Sequence, residues 1–301
     1  MSVVLLVNPA ARAGSHRGAG AEAAERLRAH GIRTTIISAG SAAESSDLLR
    51  TAIGLGTDAV VVAGGDGTVH LAIQELAGSG IPLGIIPAGT GNDMAAAVGL
   101  RELDVAAAAD TIAAGRTRRI DLARVTRTDG STEYFGSVLA SGFDSRVNDR
   151  ANAMRWPRGG SRYNIAILIE FLTLRGIPYD VELVLDDGSA QRIAGDLVMA
   201  TIGNGGTYGG GIPICPDADP SDGLLDVAIV RPAGRLRLLR LLPRVYKGTH
   251  ASVDEVSMFR VRTARLAASG VTAYADGDPI GTLPLAVEVV PGALSLYVRE
   301  A

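Results

Sequence analysis

Short β-branched runs alternating with alanine-rich stretches constrain this 301-residue chain more than any other feature. The runs are Val3 to Val7, Arg33 to Ile37, Ala59 to Val62, Leu83 to Ile86 and Arg118 to Leu122, with helical patterns near 18–30, 42–55, 67–77 and 103–114 between them. Strand and helix at this spacing predict a parallel sheet with helices packed on it. The runs are apolar throughout, as strands buried on both faces are. Residues 1–123 therefore read as an α/β domain.

Beyond Arg124 the pattern changes. Val181 to Leu185 ends in the turn signal Asp186-Asp187-Gly188, and Phe259 to Arg262 alternates apolar and basic residues as a half-exposed strand does. Further strands are expected at 133–140, 193–202, 224–230, 271–275, 285–290 and 294–298, with helices at 161–174 and 234–248. This predicts a β-rich, antiparallel, sandwich-like domain over 124–290, joined near Arg124 to Gly130, with a tail (about 291–301) returning to the first domain.

Composition narrows the class. Hydrophobic residues at 47% against 20% charged support a sizeable core, and the net charge of -3 argues against a nucleic-acid binder. The single cysteine, Cys215, allows no intrachain disulfide and fits a reducing compartment, and the four histidines lack zinc-site spacing. Val3 to Val7 is too short for a signal core, and Tyr163 to Leu174, interrupted by Asn164 and Glu170, falls short of the roughly 18 apolar residues of a membrane span. The expected location is cytoplasmic, with membrane contact at most peripheral.

The strongest local signal is Gly64-Gly65-Asp66-Gly67-Thr68, directly after the run Ala59 to Val62. A strand feeding glycines into a helix lets backbone N–H groups approach a phosphate, helped by the partial positive charge of the helix amino terminus. Asp66 would repel a bare phosphate, so a carboxylate there implies a cation or a transferred proton. The bland reading is a tight turn without a ligand. A second loop of the same kind, Pro87-Ala88-Gly89-Thr90-Gly91-Asn92-Asp93, follows the next run, and ligands of open α/β sheets bind at that edge. Two such loops on successive strands predict one polyphosphate held between them. With Lys247 as the only lysine, a Walker lysine is excluded, and neither Gly-x-Gly-x-x-Gly after the first strand nor Gly-x-Ser-x-Gly is present.

At these residues the chain resembles the diacylglycerol kinase catalytic-domain family, whose wider group includes sphingosine, ceramide and NAD kinases. The resemblance runs from Val7-Asn8-Pro9-Ala10 through Gly64 to His70, Pro87 to Asp93, Ile120 to Leu122, Ile202 to Gly205 and Tyr208 to Gly211. It continues through Pro216 to Ala218, Asp222 to Asp226 and Asp276 to Asp278. It implies an ATP-dependent lipid kinase of lipid metabolism and phospholipid biosynthesis. ATP would be contacted by Asn8, Pro9, Ala10, Gly64, Gly65, Asp66, Gly67, Thr68, Val69, His70, Leu71, Gly89 and Thr90. Asp66, Asp93 and Asp121 would organise magnesium and water around the phosphates, and a second magnesium would fall on Asp219, Asp222 and the carbonyl of Leu224. Asp278 would be the general base, where the family usually carries glutamate, so the base is one carbon–carbon bond, roughly 1.5 Å, shorter. His70-Leu71 is a second departure, at positions where the family often has asparagine and glutamate.

The implied partner is a lipid substrate. Arg162 to Leu174 reads as a buried helix or the wall of a lipid pocket. In 236–247, Arg237, Arg240, Arg244 and Lys247 cluster on one helical face, with Leu238, Leu239, Leu242, Val245 and Tyr246 opposite. Such a helix suits either an anionic membrane surface or an ordinary protein surface. The expected reaction phosphorylates diacylglycerol. The rivals are another lipid acceptor of the same group and a nucleotide- or lipid-binding protein of low turnover. The sequence sets no oligomeric state.

Overall fold

A computed structural model describes residues 1–7, 18–154, 156 and 160–299. In the N-terminal part, β1 (Ser2–Val7), β2 (Arg33–Ile37), β3 (Ala59–Gly64) and β4 (Leu83–Pro87) pair in the order β2-β1-β3-β4, all parallel. Helices α1 (Ala19–Ala29), α2 (Ala42–Gly54), α3 (Asp66–Leu76), α4 (Asp93–Ala97) and α5 (Val105–Ala113) lie between and after them. Alternate residues of one strand serve opposite cores. Val60 and Val62 pack with Leu49 of α2 and Val69, Ile73 and Leu76 of α3. Ala59 and Val61 pack with Leu27 of α1 and Ile112 of α5. Burial on both faces is why these runs are continuously apolar.

The C-terminal domain is β-rich and antiparallel. It comprises β5 (Thr117–Arg127), β6 (Thr132–Phe135), β7 (Val138–Ser141), β8 (Ile177–Leu185), β9 (Ala190–Leu197), β10 (Met199–Gly203), the short pair β11 (Thr207–Tyr208) and β12 (Ile212–Pro213), β13 (Leu225–Val230), β14 (Val256–Ala268), β15 (Thr272–Ala275), β16 (Asp278–Thr282) and β17 (Leu285–Tyr297). Helices α6 (Phe143–Ala153), α7 (Gly160–Leu172) and α8 (Arg235–Tyr246) flank the strands. Its core joins Phe135, Leu139, Ile202, Val227, Leu266 and Leu285, drawn from six different strands.

Two long strands tie the halves together. β5 runs past Arg124 and ends at Arg127, inside the expected join, and pairs antiparallel with β17 along its length. β17 carries a register shift between Val290 and Leu294; beyond it Leu296 pairs in parallel with Leu83 of β4. Ala293, Leu294 and Leu296 sit in the core beneath the parallel sheet. The expected strands 285–290 and 294–298 are therefore one strand.

Elsewhere the structure divides what the pattern joins. The expected strand 133–140 is broken into β6 and β7, because Gly136 and Ser137 turn their N–H groups to Asp276 (2.9 and 2.8 Å). The expected strand 193–202 is broken into β9, which pairs with β8, and β10, which pairs with β7 and β13. Helix α6 was not expected. Its sequence is mostly polar, and only Val147 and Ala151 supply buried apolar side chains.

Candidate active site

The two glycine loops meet at the edge of the parallel sheet. Gly65 caps α3 in an extended conformation, and a methyl carbon placed on it would lie 2.9 Å from the Cα of Gly89. Side chains at either position would force the loops apart. Asn92, in the left-handed region (φ 54°), closes the second loop on itself: its Oδ1 accepts from Gly89 N (3.1 Å) and its Nδ2 donates to Gly89 O (2.9 Å). Asp66 then locks one loop to the other, its Oδ2 accepting from Asn92 N (2.8 Å) and its Oδ1 from Asp93 N (2.7 Å). Burial, and then the neighbouring Asp93 carboxylate, push Asp66 above its ordinary range, against those backbone bonds. A methyl at Gly91 would overlap Asp66 Oδ2 and reach within 3.4 Å of Asp93 Oδ2, so both carboxylates border one small space.

Asp93 and Asp121 also reach into the C-terminal half of the chain. Asp93 Oδ1 accepts from Thr207 Oγ1 (3.2 Å) and Oδ2 from Gly210 N (3.0 Å), while Arg101 donates to Gly210 O. Asp121, 3% exposed, accepts from Gly223 N and Gly292 N, both at 2.7 Å. No described hydrogen bond joins Asp121 to Asp66 or Asp93; its carboxylate anchors the 219–224 turn and the β17 bulge.

Asp278 opens β16 from the C-terminal domain and faces the first glycine loop. A methyl on Gly67 would stand 3.5 Å from Asp278 Oδ2. Burial raises the Asp278 pKa, nearby His70 lowers it, and Asp276 and Glu133 raise it. His70 is itself buried between two carboxylates, its Nδ1 3.2 Å from Asp276 Oδ2 and its Nε2 2.9 Å from Glu133 Oε1. Burial pulls its pKa down, but those two partners prevail and push it up to about 10, so the ring is an imidazolium at neutral pH.

Magnesium fits the two sets of donors unequally. Asp66 and Asp93 offer hard carboxylate oxygens on one space, and their mutual repulsion is what a cation relieves. Each ionised carboxylate has about four lone-pair sites, so the backbone bonds leave capacity. The 219–224 turn fits poorly. Asp219 Oδ1 accepts from Ser221 N (3.0 Å) and Oγ (2.6 Å), Asp222 Oδ1 accepts from Leu224 N (3.0 Å), and Asp222 is ion-paired with Arg260. Arg260 balances the Asp222 charge, while Asp219 has no ion-pair partner among the described residues. Among the described residues no three acidic, histidine or cysteine side chains are grouped as metal ligands.

The structure brings Gly64 to Thr68, Gly89, Thr90, Asp66, Asp93 and Asp278 to one cleft. Asn8, Pro9 and Ala10 lie outside the described residues. Val69 and Leu71 turn toward the core beneath the sheet, leaving only their backbone for a ligand, and both ring nitrogens of His70 are taken. Glu133, Asp276, Thr207, Gly210 and Arg101 complete the cleft. None was assigned a role from sequence, since each acts across more than 60 residues of chain.

The faces expected for α8 hold in part: Arg237, Arg240, Arg244 and Lys247 are exposed, and Leu242 and Val245 are half-buried. Leu238 and Leu241 are buried, but Leu239 (51% exposed) and Tyr246 (60%) face outward with Leu236 (74%). The helix continues through Pro243 and docks by Leu238 and Leu241 onto a core shared with Phe171 and Leu174, at the end of α7 and just past it. Leu168 and Leu172 of α7 are also exposed, so that helix is buried on one side only.

Two family models match the chain. The diacylglycerol kinase catalytic domain model matches residues 2–125, and the YegS C-terminal NAD kinase beta sandwich-like domain model matches 137–298. A protein named diacylglycerol kinase from Mycobacterium tuberculosis (strain CDC 1551 / Oshkosh) is 47% identical over 294 residues, covering 98% of this chain and 94% of that one. A protein named "Probable lipid kinase YegS-like" from Klebsiella pneumoniae (strain 342) is 30% identical, covering 91% and 89%. The crystal structure of a diacylglycerol kinase from Bacillus anthracis str. Sterne shares the fold, with TM-score 0.73 at 21% identity over 99% of this chain and 97% of that one.

Proposed function

Because this chain belongs to the diacylglycerol kinase family of lipid kinases, we propose that it moves the γ-phosphate of ATP to a lipid hydroxyl, with diacylglycerol as acceptor and phosphatidate as product. The observation that carries the reading is the carboxylate of Asp278 standing against Gly67 across the cleft. A proton acceptor from one domain faces a phosphate-binding loop from the other. A base on one side and phosphate donors on the other is the arrangement that transfer to a hydroxyl uses.

The N–H groups of Asp66 and Gly67, ahead of Thr68 and Val69 whose own N–H groups donate to Gly65 O (3.0 and 3.1 Å), would hold phosphate oxygens at the glycine loop. Asp66 and Asp93 would hold magnesium, which when bound supplies charge neutralisation for the triphosphate. Asp278 would accept the proton of the acceptor hydroxyl as that oxygen bonds to the γ-phosphorus. The bond from the γ-phosphorus to the bridging oxygen breaks, and ADP carries away the electron pair. The raised pKa of Asp278 makes it a stronger base than an exposed aspartate. Asp219, Asp222 and Leu224 are assigned to holding their turn.

A peripheral membrane contact is supported by Leu236, Leu239 and Tyr246 with the exposed Arg240, Arg244 and Lys247 of the same region, each basic group near an anionic surface contributing about 1 kcal/mol. No helix among the described residues is long and apolar enough to cross a membrane.

A lipid panel with labelled ATP, at varied magnesium, tests the reading. Diacylglycerol should be labelled by the wild type and not by Asp278→Asn. A wild type that binds ATP but labels no lipid would make this a nucleotide-binding protein instead.

A further inference from the structure

The geometry points to His70 as the positioning residue of the base: held between Asp276 and Glu133, it ties the helix of the glycine loop to the strand that carries Asp278 and fixes the spacing between phosphate donor and proton acceptor. This rests on the kinase reading above and deepens it.

The base is bracketed from both sides. Two residues before it, Asp276 bonds His70 Nδ1 and also accepts from Gly136 N (2.9 Å) and Ser137 N (2.8 Å). Asp276 lies in the left-handed region (φ 51°) with Gly277 at φ 93°, a tight turn that puts the next side chain in the cleft. Two residues after the base, Ile280 O accepts from Arg127 Nε (2.5 Å), and Arg127 also pairs with Glu133, the partner of His70 Nε2. One ring thus closes a chain of bonds around residues 276–280, starting from a helix whose second residue, Gly67, faces Asp278.

Hydrogen bonding alone does not explain the residue type. Asparagine has one two-donor amide on a short stem, whereas a doubly protonated imidazole donates in two opposite directions. Two carboxylates on either side of a buried position require a cation between them. Without it, Glu133 would keep Arg127, but Asp276 would be left with two backbone N–H groups and no cation beside Asp278. The groups facing this cluster are Asp276 and Asp278 from the turn, Glu133 from β6, Arg127 from β5 and Asp66 from the start of α3, near enough to Asp276 to feel its charge.

The experiment compares the wild type with His70→Gln and His70→Ala in the whole chain, by steady-state kinetics across pH and by 13C NMR titration of the Asp278 carboxyl. His70→Ala is expected to lower kcat by about 10- to 100-fold, the cost of a loosened reacting group, with a smaller effect on the KM for ATP. The acid limb of the kcat profile should move to higher pH, since a nearby positive charge is lost, and His70→Gln should recover part of kcat but not the limb. The Asp278 carboxyl should titrate at higher pH in both variants, a measurement that needs no turnover and that the folded His70→Gln supplies where His70→Ala is poorly folded. An Asp278 titration identical in wild type and His70→Gln overturns the inference. So does a His70→Ala enzyme with normal kcat and a raised KM for ATP, which would make the ring a nucleotide contact. Failure of the wild type to label any lipid removes the kinase reading, while the carboxyl titration still decides the role of His70.

Discussion

Replacing Gly67 by alanine should separate stability from turnover. Gly67 is the second residue of α3, and an added methyl would meet only one neighbour within 4 Å, Asp278 Oδ2 at 3.5 Å, which is ordinary contact. Nothing has to move. Alanine is favoured over glycine within a helix by about 0.5–1 kcal/mol, so the variant should melt about 1–3 °C higher or be unchanged. The methyl nonetheless fills the gap between loop and base. A phosphate oxygen and its backbone donors must come within about 3 Å of each other. Displacing the transferred group by on the order of 1 Å costs about 100-fold in rate, or ~2.7 kcal/mol in the barrier. Thermal unfolding followed by circular dichroism, with kcat measured on the same sample, reads both quantities. A Gly67→Ala enzyme of full stability that turns over within about threefold of wild type, under 1 kcal/mol in the barrier, would falsify the placement of the transfer at this gap.

Three further outcomes are expected. Gly65→Ala must part the loops by about 0.5 Å, from 2.9 Å to ordinary contact, so it should lose both turnover and about 1–3 kcal/mol of stability in urea unfolding; wild-type stability would show the loops need not touch. Asp121→Ala strands the N–H groups of Gly223 and Gly292 and should cost about 3 kcal/mol or more of stability, whereas a normally stable but inactive variant would return Asp121 to the chemistry. The third concerns pH. His70 binds its proton more tightly folded, at about 10, than unfolded, at 6.5, so its contribution to stability is whole below pH 6.5 and fades as pH climbs through 10. His70→Gln should flatten the fall in melting temperature across that window, and parallel curves for the two proteins would count against the buried imidazolium.

The parallel half was legible because its signals are local. Strand β2 falls on the expected run Arg33 to Ile37, and Gly64 to Thr68 announces the turn from β3 into α3 within five residues. The second loop was equally plain, since Asn92 and Gly89 bond across three positions. What was hidden depends on distant partners. Asp121 looked like one of three acidic groups at the phosphates, but its partners are backbone groups 102 and 171 residues away. Asp222 is a metal ligand only by the resemblance, and nothing near it in sequence marks its ion-pair partner Arg260, 38 residues on in β14. His70 read as part of the glycine-loop motif, and nothing near it in sequence marks Glu133 or Asp276 as the groups that hold it. Carboxylates announce that they need a counter-charge without announcing which one they get.

Strand β17 has a consequence for how the molecule is made. Leu294 and Leu296 finish the hydrophobic layer under a sheet whose other strands are all complete by Pro87. During synthesis the first half therefore emerges with its β4 border unpaired, and it waits about 200 residues for the segment that covers it. An isolated N-terminal half would leave that border and the core beneath it uncovered, the condition under which a fragment aggregates.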